Sequence, residues 1–266
     1  MTLGLQDRVA LITGASRGIG YAIAKALQEQ GVRVALIARD EDALKSAAAT
    51  LPSPGPENVL TLGADVTDTE SVRNAVEKAH SWGGRLDIIV NSAGPEVTLS
   101  KLAETPAEVL ASALDAKLLG FHRVASAALP LLSDTGSGRI INIAGAAAVT
   151  MLPNLGVTGI TNAAVLAFTN YLASEASAKN VLVNAVSPGM TLTEGWTSRH
   201  EAMAQSQGKT AEEVRNGMTA ATGIRIGRWA ETTEIANAVM FLASDLSSYM
   251  TGSVLEVDGG ISKAVL

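Results

Sequence analysis

Seven short β-branched or apolar runs divide the chain: Arg8–Thr13, Val32–Ile37, Val59–Leu62, Leu86–Val90, Arg139–Ile143, Val181–Val186 and Val254–Val257. A strand with one wet face alternates apolar and polar residues, so hydrophobicity that is continuous rather than alternating suggests burial on both faces, as in a parallel sheet. Helix-length segments separate the runs. After Gly18, residues Ile19, Ala22, Ile23, Ala26 and Leu27 share one helical face, and Gly31 offers a C-terminal cap. Thr67-Asp68-Thr69-Glu70 is a capping cluster ahead of Val72, Ala75, Val76 and Ala79. Longer helical patterns cover Pro106–Leu132 and Thr158–Ser177. Strands alternating with helices predict one doubly wound α/β domain over residues 1–266, with helices on both faces of a parallel sheet. Two segments break the alternation: Leu51–Asn58, a proline-rich turn, and Met190–Thr222, which is polar and without a strand pattern. A long insertion at the carboxyl end of a strand covers a site in such folds, so residues 190–222 are expected to form a lid.

Composition removes several function classes. The formal net charge is −6 with scattered Lys and Arg, which argues against a nucleic-acid partner. There is no cysteine, hence no disulfide framework, thiolate nucleophile or thiolate metal site. The three histidines are dispersed and the acidic residues lack ligand spacing, so no metal is expected. The first residues lack a basic segment followed by an apolar run, and no apolar run reaches membrane-spanning length. A cytoplasmic location without membrane association is the expectation.

Thr13-Gly14-Ala15-Ser16-Arg17-Gly18-Ile19-Gly20 joins the first run to the first helix. Glycines at 14, 18 and 20 permit a tight turn and bring backbone N–H groups up to an anion at a helix N-terminus. The spacing differs from the common G-x-G-x-x-G dinucleotide fingerprint. The second run ends in Ala38-Arg39-Asp40. A carboxylate here receives the ribose 2′-hydroxyl of NAD(H); Ala38 supplies none, while Arg17 and Arg39 can flank a 2′-phosphate. The residues therefore favour NADP(H) over NAD(H), although Asp40 stands one position away.

With these motifs the chain resembles the short-chain dehydrogenase/reductase superfamily, in particular its 3-oxoacyl-(acyl carrier protein) reductase-like branch. The matching segments run through nearly the whole chain: Thr13–Gly20, Asp65-Val66, Asn91-Ser92-Ala93-Gly94, Asn184-Ala185-Val186-Ser187-Pro188-Gly189 with Thr193, and Thr251-Gly252 through Val257-Asp258-Gly259-Gly260. The resemblance implies a Rossmann-type sheet of order 3-2-1-4-5-6-7 with its ligand at the switch point between strands 1 and 4. It implies cofactor contacts from Gly14, Ser16, Arg17, Gly18, Ile19, Gly20, Arg39, Asp65, Val66, Asn91, Ala93, Gly94, Pro188, Gly189 and Thr193. It also implies a small-molecule substrate and a homotetramer.

The family's catalytic pattern is an Asn, a Ser and a Tyr-x-x-x-Lys pair, and none of these stands at its place. Lys117 replaces the Asn, Gly145 the Ser, and Thr158-Gly159-Ile160-Thr161-Asn162 the Tyr-x-x-x-Lys segment. Asn162-Ala163-Ala164-Val165 fixes that register independently, and Tyr21, Tyr171 and Tyr249 all lie too far away to slip into it. A Thr hydroxyl ionises far above a phenol, so Thr158 donates a hydrogen bond but no proton near neutrality. Lys117 is either a relocated acid, if burial lowers its pKa, or a structural cation facing a carbonyl or water. On the substrate side the candidates are His200, as an acid in the lid, and Asn154, as a substrate ligand or a helix cap. Three functions fit these residues: an oxidoreductase acting on a carbonyl or alcohol through an altered proton path, an NADP(H)-binding regulatory protein, and a non-redox lyase or isomerase in the same pocket.

Overall fold

The computed structural model describes residues 3–53, 55–133 and 135–262. Its strands are β1 Val9–Thr13, β2 Arg33–Ala38, β3 Val59–Gly63, β4 Ile88–Asn91, β5 Arg139–Ile143, β6 Leu182–Pro188, β7 Thr191–Leu192, β8 Ala230–Glu231 and β9 Val254–Val257. Its α-helices are α1 Gly18–Gln28, α2 Glu41–Ala49, α3 Thr69–Gly83, α4 Ala107–Leu114, α5 Gly120–Ser133, α6 Gly156–Ala176, α7 Glu194–Gln207, α8 Ala211–Thr222 and α9 Thr232–Ala243. Seven strands form one parallel sheet of order β3-β2-β1-β4-β5-β6-β9. With β9 as the last strand of the sheet, this is the doubly wound order expected from the sequence.

The continuous hydrophobicity of the central runs is explained by the two cores. Along β1, Ala10 and Ile12 face a core built with Ile23, Leu27, Ile235 and Leu242 of α1 and α9. Val9 and Leu11 face the opposite core, with Val72 and Val76 of α3, Val124 of α5 and Ala173 of α6. Every residue of β1, β4 and β5 is buried. At roughly 25 cal/mol per Å² of apolar surface, burial on both faces is the main favourable term of the fold. Among the described residues no helix is long and apolar enough to cross a membrane.

Two expectations need correction. Residues 190–222 do contain a strand, β7, which pairs in parallel with β8 through only two residues and so leaves no periodic trace in the sequence. The pattern over 106–132 is not one regular α-helix either. A π-helical turn, Asp115–Leu119, separates α4 from α5. One extra residue in the turn re-aims the side chains it carries, and such turns gather at functional sites.

The lower end of the sheet holds a buried carboxylate. Asp87 is fully buried and accepts the backbone N–H of Val9 (2.9 Å) and the Arg85 guanidinium (2.8 Å through Nε). It ties β1 to the start of β4. Replacing Asp87 with Ala strands the Val9 amide in an apolar layer, which should cost about 2–3 kcal/mol. Urea titration should show a lower midpoint with an unchanged slope; an unaltered midpoint would mean that water replaces the carboxylate freely.

Candidate functional site

A cleft of about 1450 Å³ opens along the carboxyl ends of the central strands, where the chain leaves β1, β4, β5 and β6. The strand order reverses between the parallel neighbours β1 and β4, so their loops part to opposite sides and leave a crevice at the strands' carboxyl ends. The Thr13 hydroxyl accepts the N–H groups of Ser92 (3.0 Å) and Ala93 (3.1 Å), tying the loop after β1 to the loop after β4. A Cβ on Gly14 would sit 2.9 Å from Ala93, and one on Gly20 would sit 2.3 Å from the Gly14 carbonyl. Both glycines are therefore demanded by close approach of backbone to backbone. Gly18 adopts φ +59°, and its N–H at the start of α1 donates to Glu194 Oε2 (3.0 Å). The loop thus already receives a carboxylate, the behaviour expected of a helix N-terminus with unpaired amides.

Ser16, Arg17, Gly18, Ile19 and Gly20 line this end of the cleft together with Arg39, Asp65 and Val66. Arg39 makes no ion pair or hydrogen bond among the described residues, whereas Arg17 faces Glu96 across 3.5 Å of exposed surface. Asp40 is committed elsewhere: its carboxylate caps α2, accepting from the N–H groups of Asp42 (3.0 Å) and Ala43 (2.9 Å). Asp65 accepts the backbone N–H and hydroxyl of Thr67. These bonds, with the Arg39 and Arg123 guanidiniums, hold its carboxyl below the usual range against the opposing effect of burial.

At the other end, Lys117, Gly145, Thr158 and Asn162 line the same cleft, as do Ala93, Gly94, Pro188, Gly189 and Thr193. Lys117 lies in the π-helical turn, and Arg123 braces that turn by donating to the Asp115 carboxylate (2.7 Å) and the Val66 carbonyl (3.1 Å). The Lys117 ammonium donates to Asn162 Oδ1 and to the Ala144 carbonyl (3.3 Å). No carboxylate pairs with it among the described residues, and burial pushes its pKa down to about 8. Gly159 lets α6 settle onto the loop after β5, since a Cβ there would sit 2.9 Å from the Ala147 carbonyl, and Gly156 makes room for the Leu102 side chain. No tyrosine lines the cleft: Tyr21 hydrogen-bonds Thr50, and Tyr171 and Tyr249 are exposed.

Three sequence candidates sit outside the cleft. Asn91 is a floor residue, fully buried, donating to Asn142 Oδ1 (2.9 Å), which through its own amide reaches the Thr169 hydroxyl (2.9 Å). His200 is buried against Trp196 and Trp229, with ring centroids 5.8 and 4.6 Å away, and does not line the cleft. Burial and then Arg215 push its pKa down, which further unsuits it as an acid. Asn154 is exposed, takes φ +60° in a turn, and accepts the Ser100 N–H through its backbone carbonyl. Leu155 takes the cap position of α6 without a side-chain bond, so Asn154 does not cap that helix.

Residues 190–222 form α7 and α8, set over the cleft on a small apolar cluster of Met190, Ile224, Trp229 and Ile261. Two side chains from α7 reach across the opening. Glu194 takes the Gly18 amide, and Arg199 donates to the Val97 carbonyl (2.8 Å) while lying over the Trp196 ring. Neither was singled out in the sequence, and no spacing rule marks them; adjacency of Glu194 to Thr193 was the one available signal.

Comparison with known proteins agrees with this geometry. Residues 14–262 match the family described as enoyl-(acyl carrier protein) reductase. The chain is 32% identical over 260 residues to the 3-oxoacyl-(acyl-carrier-protein) reductase FabG of Chlamydia muridarum, covering 97% of this chain and 98% of that one. It is 33% identical over 256 residues to the NAD-dependent glycerol dehydrogenase of Listeria innocua, covering 96% and 94%. Among solved structures, the L-sorbose reductase of Gluconobacter frateurii, complexed with NADPH and L-sorbose, superposes with a TM-score of 0.94 at 32% identity over the full length of both chains.

The depressed Lys117 pKa has a consequence for stability. Between pH 8 and 10.5 the unfolded chain keeps a proton on Lys117 that the folded chain has released. The unfolded state then binds more protons, so this residue makes stability rise with pH across that window, by about 3 kcal/mol in full. The difference in unfolding free energy between wild type and Lys117→Met should shift by that amount in favour of wild type from pH 7 to 10.5. A difference that stays flat with pH would show the ammonium to be fully solvated.

Proposed function

The chain belongs to the short-chain dehydrogenase/reductase family, and from that premise we propose that it is an NADP(H)-dependent oxidoreductase interconverting a carbonyl and an alcohol on a small-molecule substrate. One observation carries the reading. A single cleft joins an anion-receiving glycine loop at one end to a desolvated ammonium, Lys117, at the other. The first is what a dinucleotide's phosphates need, and the second is what a reacting oxygen needs.

The residues fit the cofactor. The Gly18 amide, which takes the Glu194 carboxylate, would take pyrophosphate oxygens in its stead, with Ser16 and Ile19 beside it. Arg39 and Arg17 would hold a 2′-phosphate, because a guanidinium fork matches phosphate geometry and Asp40, spent on α2, offers no carboxylate to a 2′-hydroxyl. Asp65 and Val66 would flank the adenine, and Ala93, Gly94, Pro188, Gly189 and Thr193 the nicotinamide. The relatives themselves include users of NADPH and of NAD, so the preference rests on these side chains.

When bound, the nicotinamide supplies or takes the hydride. The chain's part is the proton and the oxygen. Lys117 holds a proton at Nζ that burial makes easier to release, and Thr158 offers its hydroxyl as a hydrogen-bond donor. Residues 190–222, acting as a lid, exclude water and strengthen both contacts.

The reading is tested by following NADPH oxidation across a panel of aldehydes, ketones and ketoses, L-sorbose included. Turnover that saturates with one class of carbonyl is expected; tight NADPH binding with no turnover on any of them would make this a cofactor-binding regulator instead. Calorimetry tests the cofactor. Arg39→Ala should weaken NADPH by about 10- to 100-fold, the worth of one charge-assisted contact, and NADH by less than threefold. Equal losses would remove Arg39 from the 2′-phosphate.

A further inference from the structure

Lys117 has only donors, and its ammonium is directed at Asn162, whose carboxamide carries one acceptor and one donor atom. The acceptor must therefore face Lys117, which settles the amide's orientation by chemistry. Its Nδ2 turns the other way. There it makes no hydrogen bond among the described residues, although Asn162 is only 2% exposed and lines the cleft. What Nδ2 faces is the space over Gly145: a Cβ built there would sit 2.6 Å from it.

Gly145 has φ 163° and ψ 149°, extended backbone that any residue adopts. A side chain at 145 would have to displace the Asn162 amide, and glycine leaves that space to the Asn162 N–H. Thr158, one helical turn earlier on α6, lines the same cleft. Nδ2 is thus a donor open to the cleft and uncommitted among the described residues, free for an acceptor that enters there. The acceptor end of the carboxamide rests on a cation, which polarises the amide and strengthens the N–H as a donor.

We infer that Asn162 Nδ2 is the group that binds the reacting oxygen of the substrate, with Lys117 as the residue that orients and polarises it and Gly145 as the residue that leaves it room. The inference rests on the oxidoreductase reading above. In reduction, a bound nicotinamide would supply hydride to the carbonyl carbon and would itself be oxidised, while the π pair moves onto oxygen. That oxygen accepts the Asn162 hydrogen bond and takes a proton relayed from Lys117 by a water in the cleft, and Lys117 regains one from solvent. Asn162 donates to charge as it develops, the arrangement that contributes most in carbonyl chemistry.

The test compares wild type with Asn162→Asp and Asn162→Leu; both lack the N–H, and the second does so without setting a carboxylate beside Lys117. With a carbonyl that the wild type reduces, kcat should fall about 100- to 1000-fold, the usual loss for one oxyanion donor, with NADPH affinity within twofold. A kcat within threefold of wild type overturns the inference. A second measurement needs no turnover and separates a lost donor from a disturbed fold. In the full chain labelled with ¹⁵N-asparagine and saturated with NADP⁺, the Asn162 side-chain amide protons are followed by NMR while trifluoroethanol is added as an unreactive oxygen ligand. A saturable downfield shift is expected in wild type and not in Gly145→Ser. Without ligand, those resonances should titrate with Lys117 between pH 7 and 10 and lose that titration in Lys117→Met. Resonances that respond to neither alcohol nor pH overturn the inference. If the wild type reduces no carbonyl, the oxidoreductase reading fails by itself, and the amide resonances alone then decide for or against Asn162.

Discussion

Burial of the sheet on both faces is the constraint from which the rest of this structure follows. Strands β1, β4 and β5 have no wet side, so a polar group along them must find a partner within the protein or be excluded. Most are excluded, and the chemistry collects where the strands end. The polar side chains that remain inside are chained together. Asn91 donates to Asn142, Asn142 to the Thr169 hydroxyl, and that hydroxyl to the Val165 carbonyl (2.8 Å). This chain links β4, β5 and α6 directly beneath the cleft and so holds the floor and the helix bearing Thr158 and Asn162 in one register.

The same economy shapes the far side of the cleft. Lys117 brings a charge to a floor of small residues, and the structure meets its cost with two oxygen acceptors and a lowered pKa instead of a counter-ion. A carboxylate partner would have kept the proton on the ammonium. Neutral acceptors leave it easier to give up. The π-helical turn that delivers the side chain is itself braced from outside by Arg123, whose bonds to Asp115 and Val66 fasten it to the loop after β3. Cofactor-loop and proton-end elements thus share supports, which is why the cleft reads as one site.

Much of this was legible in the chain itself. All seven sheet strands lie where the apolar runs place them; β1, β4 and β5 are buried at every residue, whereas β3 and β9 at the sheet's edges are only partly so. The glycine loop, Arg39, Asp65 and the Lys117–Gly145–Thr158–Asn162 set fall together in the cleft, since motifs at strand ends are carried there by the order of the sheet. Asn91, His200 and Asn154 did not follow. Each is polar and near a motif, and nearness in sequence does not say which way a side chain turns. Glu194 and Arg199 were invisible for the converse reason, being ordinary charged residues on a polar helix until the fold sets that helix across the cleft.

What the sequence determined by itself is the doubly wound sheet and the place of its open edge, since these rest on local patterns: runs, caps and glycines whose effect is felt within a few residues. What tertiary structure decided is the pairing of groups far apart in the chain. The Lys117 ammonium against the Asn162 amide is 45 residues distant and the Glu194 carboxylate on the Gly18 amide 176. Asp40 looked free to bind a ribose until its carboxylate was seen on the first amides of α2. Hydrogen bonds are short and directional, so the partner a donor takes depends on positions to within half an ångström. Only the packed chain holds positions that closely.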